Sequence, residues 1–551
     1  MQRNSSANIS GLVLTYELQP KWVKNSLKIA LLLVSATAVL ITGMRQVLPQ
    51  TSDALLQPSD ALPLKTDDVV AASVDLAHPG LAIPYSFSGF SFEYGDVLNF
   101  TGRTTDTINP VFVQLLKNIG KFNNGAPPVR VGGNSTDSSW WNPNGLAKPL
   151  GVGYNITATD LASLEASLSQ TGSQVILGVN LGQNQPDMAV DYVKAVLSRL
   201  PSNRILSLEI GNEPDIYTSH SYYKNPTTGA TVYVRPSSYN FNQYLSEFNS
   251  YSSTLKNSFS KMPPLAGPAF ATSIYGWMKN LPTFLSNQSD MLNLITYHIY
   301  PLSACSWSKP GSSTYPTISN LLSDQASLAP AQNVAVFVNQ VQQHDRLLSL
   351  SETNSVSCGG TDGVSNSFAS ALWGTDVMFN MASVGVHSVH FHTGSGAYFS
   401  PFVFYVKRSS TQSTYTATVN PLYYGMLLFA QAATNKSRLL PVSSQSSGNV
   451  KVWATMDSQN VVRVVAINKD LSASGNAEIQ LSSPRSTSSL VRLMAPSASA
   501  TIGVTLGGQT FDGTTDGTPV GNNVSTSVKP KNGIYTFSLP AASAALLTIK
   551  P

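Results

Sequence analysis

Residues 207–215 read Ser207-Leu208-Glu209-Ile210-Gly211-Asn212-Glu213-Pro214-Asp215, an apolar strand that stops abruptly in an amide, a carboxylate and a proline. Pro214 cannot continue a central ladder, so Asn212 and Glu213 are left at the C-terminal mouth of the strand, where α/β barrels keep their chemistry. Taken alone, the stretch fits an ordinary strand exit with a solvated Glu213 and a turn at Pro214-Asp215 equally well. A second strand-borne carboxylate, far along the chain, decides between the two.

That carboxylate stands in Arg346-Leu347-Leu348-Ser349-Leu350-Ser351-Glu352-Thr353-Asn354, another apolar run that terminates in a glutamate. Short apolar runs alternate with amphipathic ones from about residue 77, and the rhythm is that of repeated β-α units. Strands are expected at 85–93, 128–133, 174–180, 205–213, 265–270, 293–300, 347–352 and 388–393, the eight that a closed (β/α)8 TIM barrel requires. The ends of the fourth and seventh strands lie across the mouth of such a barrel, so Glu213 and Glu352 can face one substrate. Two opposed carboxylates are the minimal equipment for cleaving a glycosidic bond: one protonates the leaving oxygen and the other stabilises or attacks the anomeric carbon.

Further strand-end groups converge on the same mouth: Glu93, Asp137, Tyr297, His298, Tyr300, His390 and His392. Any one of them is more often a structural hydrogen-bonder than a site residue, and the clustering is the signal. His390-x-His392 puts two imidazoles on one face of a strand, but no third ligand stands at close spacing, so no metal is expected. There is neither a Gly-x-Ser-x-Gly elbow nor a phosphate-cradling glycine loop opening a helix, and no cofactor is expected.

The chain has 551 residues, too many for one ordinary core, and only 11% of them are charged; about 25% is usual in soluble domains. The net charge of +4 is spread along the chain without a basic run beyond the N-terminal cluster, which gives no case for nucleic acid. Residues 1–28 carry Lys21, Lys24 and Lys28 ahead of an apolar run at 29–44. This run reads as a transmembrane signal anchor or, with Ala36-Thr37-Ala38 as a small-residue cleavage site, as a signal peptide core. Either way the body lies on the secretory side, as a single-pass membrane protein or a secreted one. Residues 45–76 read as a linker, 77–428 as the barrel and 429–551 as a β-sandwich of short strands, to which 69–76 could lend one more. Six sequons, at Asn99, Asn134, Asn155, Asn287, Asn435 and Asn523, suit a glycoprotein, each a weak signal alone.

As a set, the strand 208–215, the Arg130-Val131-Gly132-Gly133-Asn134-Ser135 loop, Tyr297-His298-Ile299-Tyr300, and Ser351-Glu352-Thr353-Asn354-Ser355 through Gly359-Gly360 resemble glycoside hydrolase family 79. The resemblance covers roughly residues 77 to 551 and implies a retaining β-glucuronidase or heparanase-like enzyme with a (β/α)8 barrel and a β-sandwich. It implies Glu213 as acid/base and Glu352 as nucleophile. Asn212 would then bind the sugar 2-hydroxyl, Tyr300 would orient the nucleophile, and Glu93 and Asp137 would hold the other ring hydroxyls. The uronate carboxylate would rest on backbone amides at Gly359-Gly360 and on Tyr398, with Tyr297 and His390 also in the substrate site. The implied partner is an oligo- or polysaccharide or proteoglycan containing glucuronic acid, its 4-O-methyl form included. A relative acting on neutral sugars, or an inactive carbohydrate-binding cell-surface protein, are the alternatives. Cys305 and Cys358, the only cysteines, follow the sixth and seventh strands on the same barrel face, and a disulfide between them is expected.

Overall fold

A computed structural model describes residues 62–551 except 104–106, 124, 273–274, 289–290, 410–412 and 484. The apolar run 29–44 and its flanks lie outside the described residues, among which no helix is long and apolar enough to cross a membrane. Eight parallel strands close the barrel in chain order. They are β1 (Ser88–Glu93), β2 (Val129–Gly132), β3 (Val175–Val179), β4 (Ile205–Ile210), β5 (Leu265–Phe270), β6 (Leu292–Ile299), β7 (Leu347–Thr353) and β8 (Ser388–His392). β8 pairs back onto β1 through Phe391 opposite Phe90. The near-continuous apolar runs follow from this architecture, because helices cover one face of each strand and the packed interior covers the other. Val175–Val179, for instance, is buried at every position.

β4 ends at Ile210, three residues short of the expected strand. Gly211 (φ 78°) and Glu213 (φ 51°) both adopt left-handed backbone, so the chain turns as it leaves the barrel. A side chain at Gly211 would be driven into Leu181 and the Tyr217 hydroxyl. The Glu213 amide donates to the Ala269 carbonyl at 2.9 Å, which ties the turn to the end of β5.

The C-terminal part forms two sheets across an apolar core that includes Val464, Leu547, Ile479 and Tyr535. One has six strands from Arg438–Leu440 to Ser543–Ile549, and the other has four. The strand expected from 69–76 joins the second, inside the stretch whose end was read as linker: Asp68–Val74 pairs in parallel with Gly475–Leu481 and antiparallel with Val442–Ser446. Its run of Val69, Val70, Ala71 and Ala72 is fully buried, which explains why it is not a linker. Two helices, Phe368–Ser383 and Pro421–Ala432, are apolar nearly all round because they are wedged between barrel and sheets. Gly425 lets them approach: a Cβ there would sit 2.3 Å from the Ala371 carbonyl oxygen.

A buried ion pair crosses this junction. Lys469 Nζ donates to Asp376 Oδ2 at 2.7 Å with both side chains fully buried, and Asp376 also accepts from Ser327 Oγ at 2.7 Å and Trp453 Nε1 at 2.9 Å. Breaking such a pair from one side strands a charge in an apolar setting and costs about 3–5 kcal/mol. Asp376→Ala is expected to lower the urea midpoint accordingly, and the Asp376→Leu/Lys469→Met double variant to lose less than the single. Equal losses would show that packing volume, not the charge pair, governs the junction.

Candidate active site

The interior of the barrel mouth is organised by Arg130, which points inward from β2 and is fully buried. Its Nε donates to Glu209 Oε2 at 2.6 Å, Nη1 to Glu352 Oε2 at 2.7 Å and Ser91 Oγ at 3.1 Å, and Nη2 to Asn212 Oδ1 at 2.9 Å. A buried guanidinium is tolerated only when paired and hydrogen-bonded, and two carboxylates meet that demand here. Room for it comes from Gly132, where a Cβ would lie 2.9 Å from Arg130 Cζ.

Glu352 Oε1 accepts from the Tyr300 hydroxyl at 2.9 Å. Glu213 Oε1 lies 2.9 Å from His298 Nδ1, whose Nε2 is 3.1 Å from Ser351 Oγ. One carboxylate oxygen of Glu213, one of Glu352 and a nitrogen of His298 all lie within 4.8 Å of one another. His392 stands on the other side, with Nδ1 at 3.7 Å from Glu352 Oε2 and Nε2 at 3.6 Å from Glu93 Oε1. These groups line one cleft of about 990 Å³.

Of the residues expected in the site, Glu93, Glu213, Tyr297, Tyr300, Glu352 and Gly359 line this cleft. Glu93 takes the Asn134 amide on Oε1 at 3.1 Å and the amide and hydroxyl of Ser135 on Oε2, and its Oε1 also faces His392 Nε2 at 3.6 Å. Asn212 is buried behind them, with its Nδ2 3.4 Å from Asn134 Oδ1. The Tyr297 hydroxyl is committed to the Thr272 carbonyl at 2.7 Å. Asn134 itself lines the cleft, so a glycan on that sequon would fill the site. The expected bridge between Cys305 and Cys358 is present and fastens the loops after β6 and β7.

Asp137, His390, Gly360 and Tyr398 are placed differently from expectation. Asp137 is buried with both oxygens already used: Oδ1 by the Leu181 and Gly182 amides at 2.9 Å, Oδ2 by the Asn212 amide at 3.0 Å and the Tyr217 hydroxyl at 2.6 Å. It shapes the loops behind the site and borders an adjoining hollow that shares Glu93, Asn134 and His220 with the cleft. His390 lies deeper in the barrel than His392, fully buried, with Nε2 3.0 Å from Ser388 Oγ. Gly360 packs against Phe399, Ser365 and Tyr398 and is not itself among the residues lining the cleft. Tyr398 is 48% exposed and sits outside the cleft, its amide donating to the Gly359 carbonyl at 2.8 Å.

Arg130 is the functional residue that motif reading passed over. The available signal was a lone cation in the otherwise apolar 128–133 strand, which has to find a buried carboxylate; Glu209 is the matching oddity in β4. Burial pushes the Glu352 carboxyl up, but His392, His298, Arg130 and the Tyr300 hydroxyl outweigh it and hold the group well below the ordinary carboxylate range. Burial pushes His392 down, yet Glu352 and Glu93 together reverse the shift and raise it. His390 is pushed down to about 3 by burial and by Arg130, so it is a neutral core imidazole. Glu213, His298 and Glu352 have the donor types of a metal site. The guanidinium already bound to Glu352 opposes a second cation there.

Comparison with known proteins adds an independent line. Residues 452–546 match the glycosyl hydrolase family 79 C-terminal beta domain. The chain is 27% identical over 535 residues to a protein of Aspergillus niger named beta-glucuronidase, covering 87% of this chain and 93% of that one. A Neurospora crassa protein of the same name is 26% identical over 444 residues, covering 73% and 75%. Among solved structures, a 4-O-α-L-rhamnosyl-β-D-glucuronidase from Fusarium oxysporum shares the fold with a TM-score of 0.67 at 19% identity, over 86% of this chain and 100% of that one. A family 51 arabinofuranosidase from Xanthomonas axonopodis follows at 0.59 and 15%, over 87% and 99%.

The depressed Glu352 carboxyl carries a stability consequence whose sign is fixed. A folded-state value below the unfolded one, about 4.3, contributes stability that is fully present above that pH and is lost as pH falls through the folded value. Thermal midpoints followed between about pH 6 and pH 2 are therefore expected to fall less steeply for Glu352→Gln than for the parent. A steeper fall in the variant would contradict the assignment of Glu352 as a buried anion.

Proposed function

We propose that this chain, which its C-terminal domain and its relatives group with glycoside hydrolase family 79, is a retaining β-glucuronidase acting through Glu352 and Glu213. The observation that carries the reading is the separation of the two carboxylates, whose oxygens come within 4.8 Å. Retaining enzymes hold their carboxyls about 5–5.5 Å apart, whereas inverting ones need about 6.5–9.5 Å to admit a water between catalyst and sugar.

In the first step Glu352 attacks the anomeric carbon while Glu213 protonates the departing glycosidic oxygen. Arg130 and Tyr300 each hold one oxygen of Glu352, which fixes the carboxylate plane without a rotamer search. As Glu213 gives up its proton it gains charge 2.9 Å from His298 Nδ1, where a hydrogen on that nitrogen meets it. In the second step Glu213 deprotonates the water that hydrolyses the glycosyl ester. Asn212, whose Oδ1 is spent on Arg130, offers Nδ2 to the 2-hydroxyl, and Glu93 offers Oε1 to a hydroxyl on the far side of the ring.

Selection of a uronic acid is assigned to the loop after β7. Cys358, Gly359 and Gly360 take φ of 59°, 85° and 83° in succession, and among the described residues neither glycine amide is engaged in a hydrogen bond. Successive amides in such a turn make an anion-binding concavity without a full positive charge. The disulfide beside them, the apolar run 29–44 and the sequons support a secretory location, with the barrel spanning about 77–428 and the β-sandwich 429–551 joined by strand Asp68–Val74.

Wild-type protein is expected to hydrolyse an aryl β-glucuronide far faster than the matching β-glucoside, and proton NMR of the first turnover should show the β anomer before mutarotation. Glu352→Gln is expected to abolish turnover, and Glu213→Gln to lower it by about 10²–10⁴-fold. Initial release of the α anomer would overturn the retaining assignment, and equal rates on glucoside would overturn the uronate one.

A further inference from the structure

Resting on the β-glucuronidase reading, the cleft also carries information about the leaving group. Glu213 protonates the departing oxygen, so the leaving group lies on the side Glu213 faces. Its side chain meets β6 at His298 and its amide meets β5 at Ala269. The loops following those two strands put Tyr275 and Trp307 on the wall of the same cleft. These are among the most exposed large apolar side chains of the described residues, at 83% and 65%. Single exposed aromatics are unremarkable by themselves, but two lining one catalytic cleft, on the loops after the strands that Glu213 meets, are a surface awaiting a partner.

Trp307 is held there by its surroundings. Its loop is fastened by the Cys305–Cys358 bridge, by Ala304 donating to the Ser357 carbonyl at 3.3 Å, and by the Ser308 amide closing a turn onto the Cys305 carbonyl at 2.9 Å. An indole carried on a braced loop offers a flat apolar face with little backbone ordering cost, which matches the C–H face of a pyranose ring. The charge of the wall discriminates further. No lysine or arginine lines the cleft among the described residues, and its charged groups are Glu93, Glu213 and Glu352 with neighbouring histidines. A sulfated or carboxylated leaving group would find no cationic partner on this wall.

We propose that Trp307 and Tyr275 form a platform for an uncharged hexopyranose of the leaving group, so that glucuronic acid is removed from a neutral oligosaccharide and not from a sulfated chain. Three substrates separate the terms: β-glucuronosyl fluoride, whose leaving group touches no platform; glucuronosyl trisaccharides carrying two neutral hexoses in 1,3, 1,4 and 1,6 linkage; and the same trisaccharides O-sulfated on the hexoses. In Trp307→Ala, kcat/KM for the best neutral trisaccharide is expected to fall about tenfold while fluoride hydrolysis stays within about twofold. Trp307→Phe is expected to retain most of the trisaccharide rate, and sulfation to lower the wild-type rate.

An unchanged trisaccharide rate in Trp307→Ala, a preference for the sulfated substrate, or wild-type activity on the fluoride but on none of the trisaccharides would each overturn the platform. Loss of both activities in Trp307→Ala and Trp307→Phe alike would assign Trp307 to folding and overturn it as well. Wild-type inactivity on glucuronosyl fluoride is a separate outcome that removes the β-glucuronidase reading itself.

Discussion

One buried guanidinium sets the terms for everything around it. Arg130 reaches Glu209, Glu352 and Asn212 from the centre of the barrel, and none of these charges is tolerable there without the others. His392, His298 and the cation together hold Glu352 as an anion, the amide of Asn212 is oriented by its bond to Nη2, and Glu209 accepts from Nε. The site is therefore a charge-matched cluster first and a pair of carboxylates second. Any substrate that places developing positive charge at its anomeric carbon enters a field already arranged to receive it.

Around that cluster, backbone geometry does the aiming. Gly211 and Glu213 leave β4 in left-handed conformation, which swings the acid over the mouth and close to His298. Left-handed backbone at a glutamate costs about 1–2 kcal/mol, the kind of local strain that accompanies functional positions. Opposite, the Cys305–Cys358 bridge joins the loop bearing Trp307 to the loop bearing Gly359. The proposed leaving-group wall and the proposed uronate-binding amides thereby share one covalent brace.

Much of this was legible in the chain because parallel barrel strands are buried on both faces and announce themselves as short apolar runs. Glu213 and Glu352 stood out as carboxylates ending such runs, and the cysteine pair followed from the strand order. The role of Arg130 was less visible, since it depends on three residues 79 to 222 positions away that only the closed barrel brings together. The surroundings of Asp137 were hidden for a related reason: the amides of Leu181, Gly182 and Asn212 that bond its carboxylate come from other loops. The strand that 69–76 lends to the β-sandwich was legible from its apolar run, whereas the linker boundary at 76 was set too late because the strand's partners, Val442–Ser446 and Gly475–Leu481, lie some 370 to 410 residues onward. Shape, in particular which aromatics stay exposed in the cleft, has no signature in sequence at all.

The central claim is that Glu352, held as an anion by His392, His298 and Arg130, forms the bond to the sugar. A 2-deoxy-2-fluoro-β-glucuronosyl fluoride slows breakdown of the intermediate more than its formation and traps it. Peptide mapping by mass spectrometry is predicted to find one fluoroglucuronosyl adduct, on the peptide containing Glu352, with no labelling of Glu352→Gln. An adduct on another residue, or turnover with inversion and no adduct, would contradict the account.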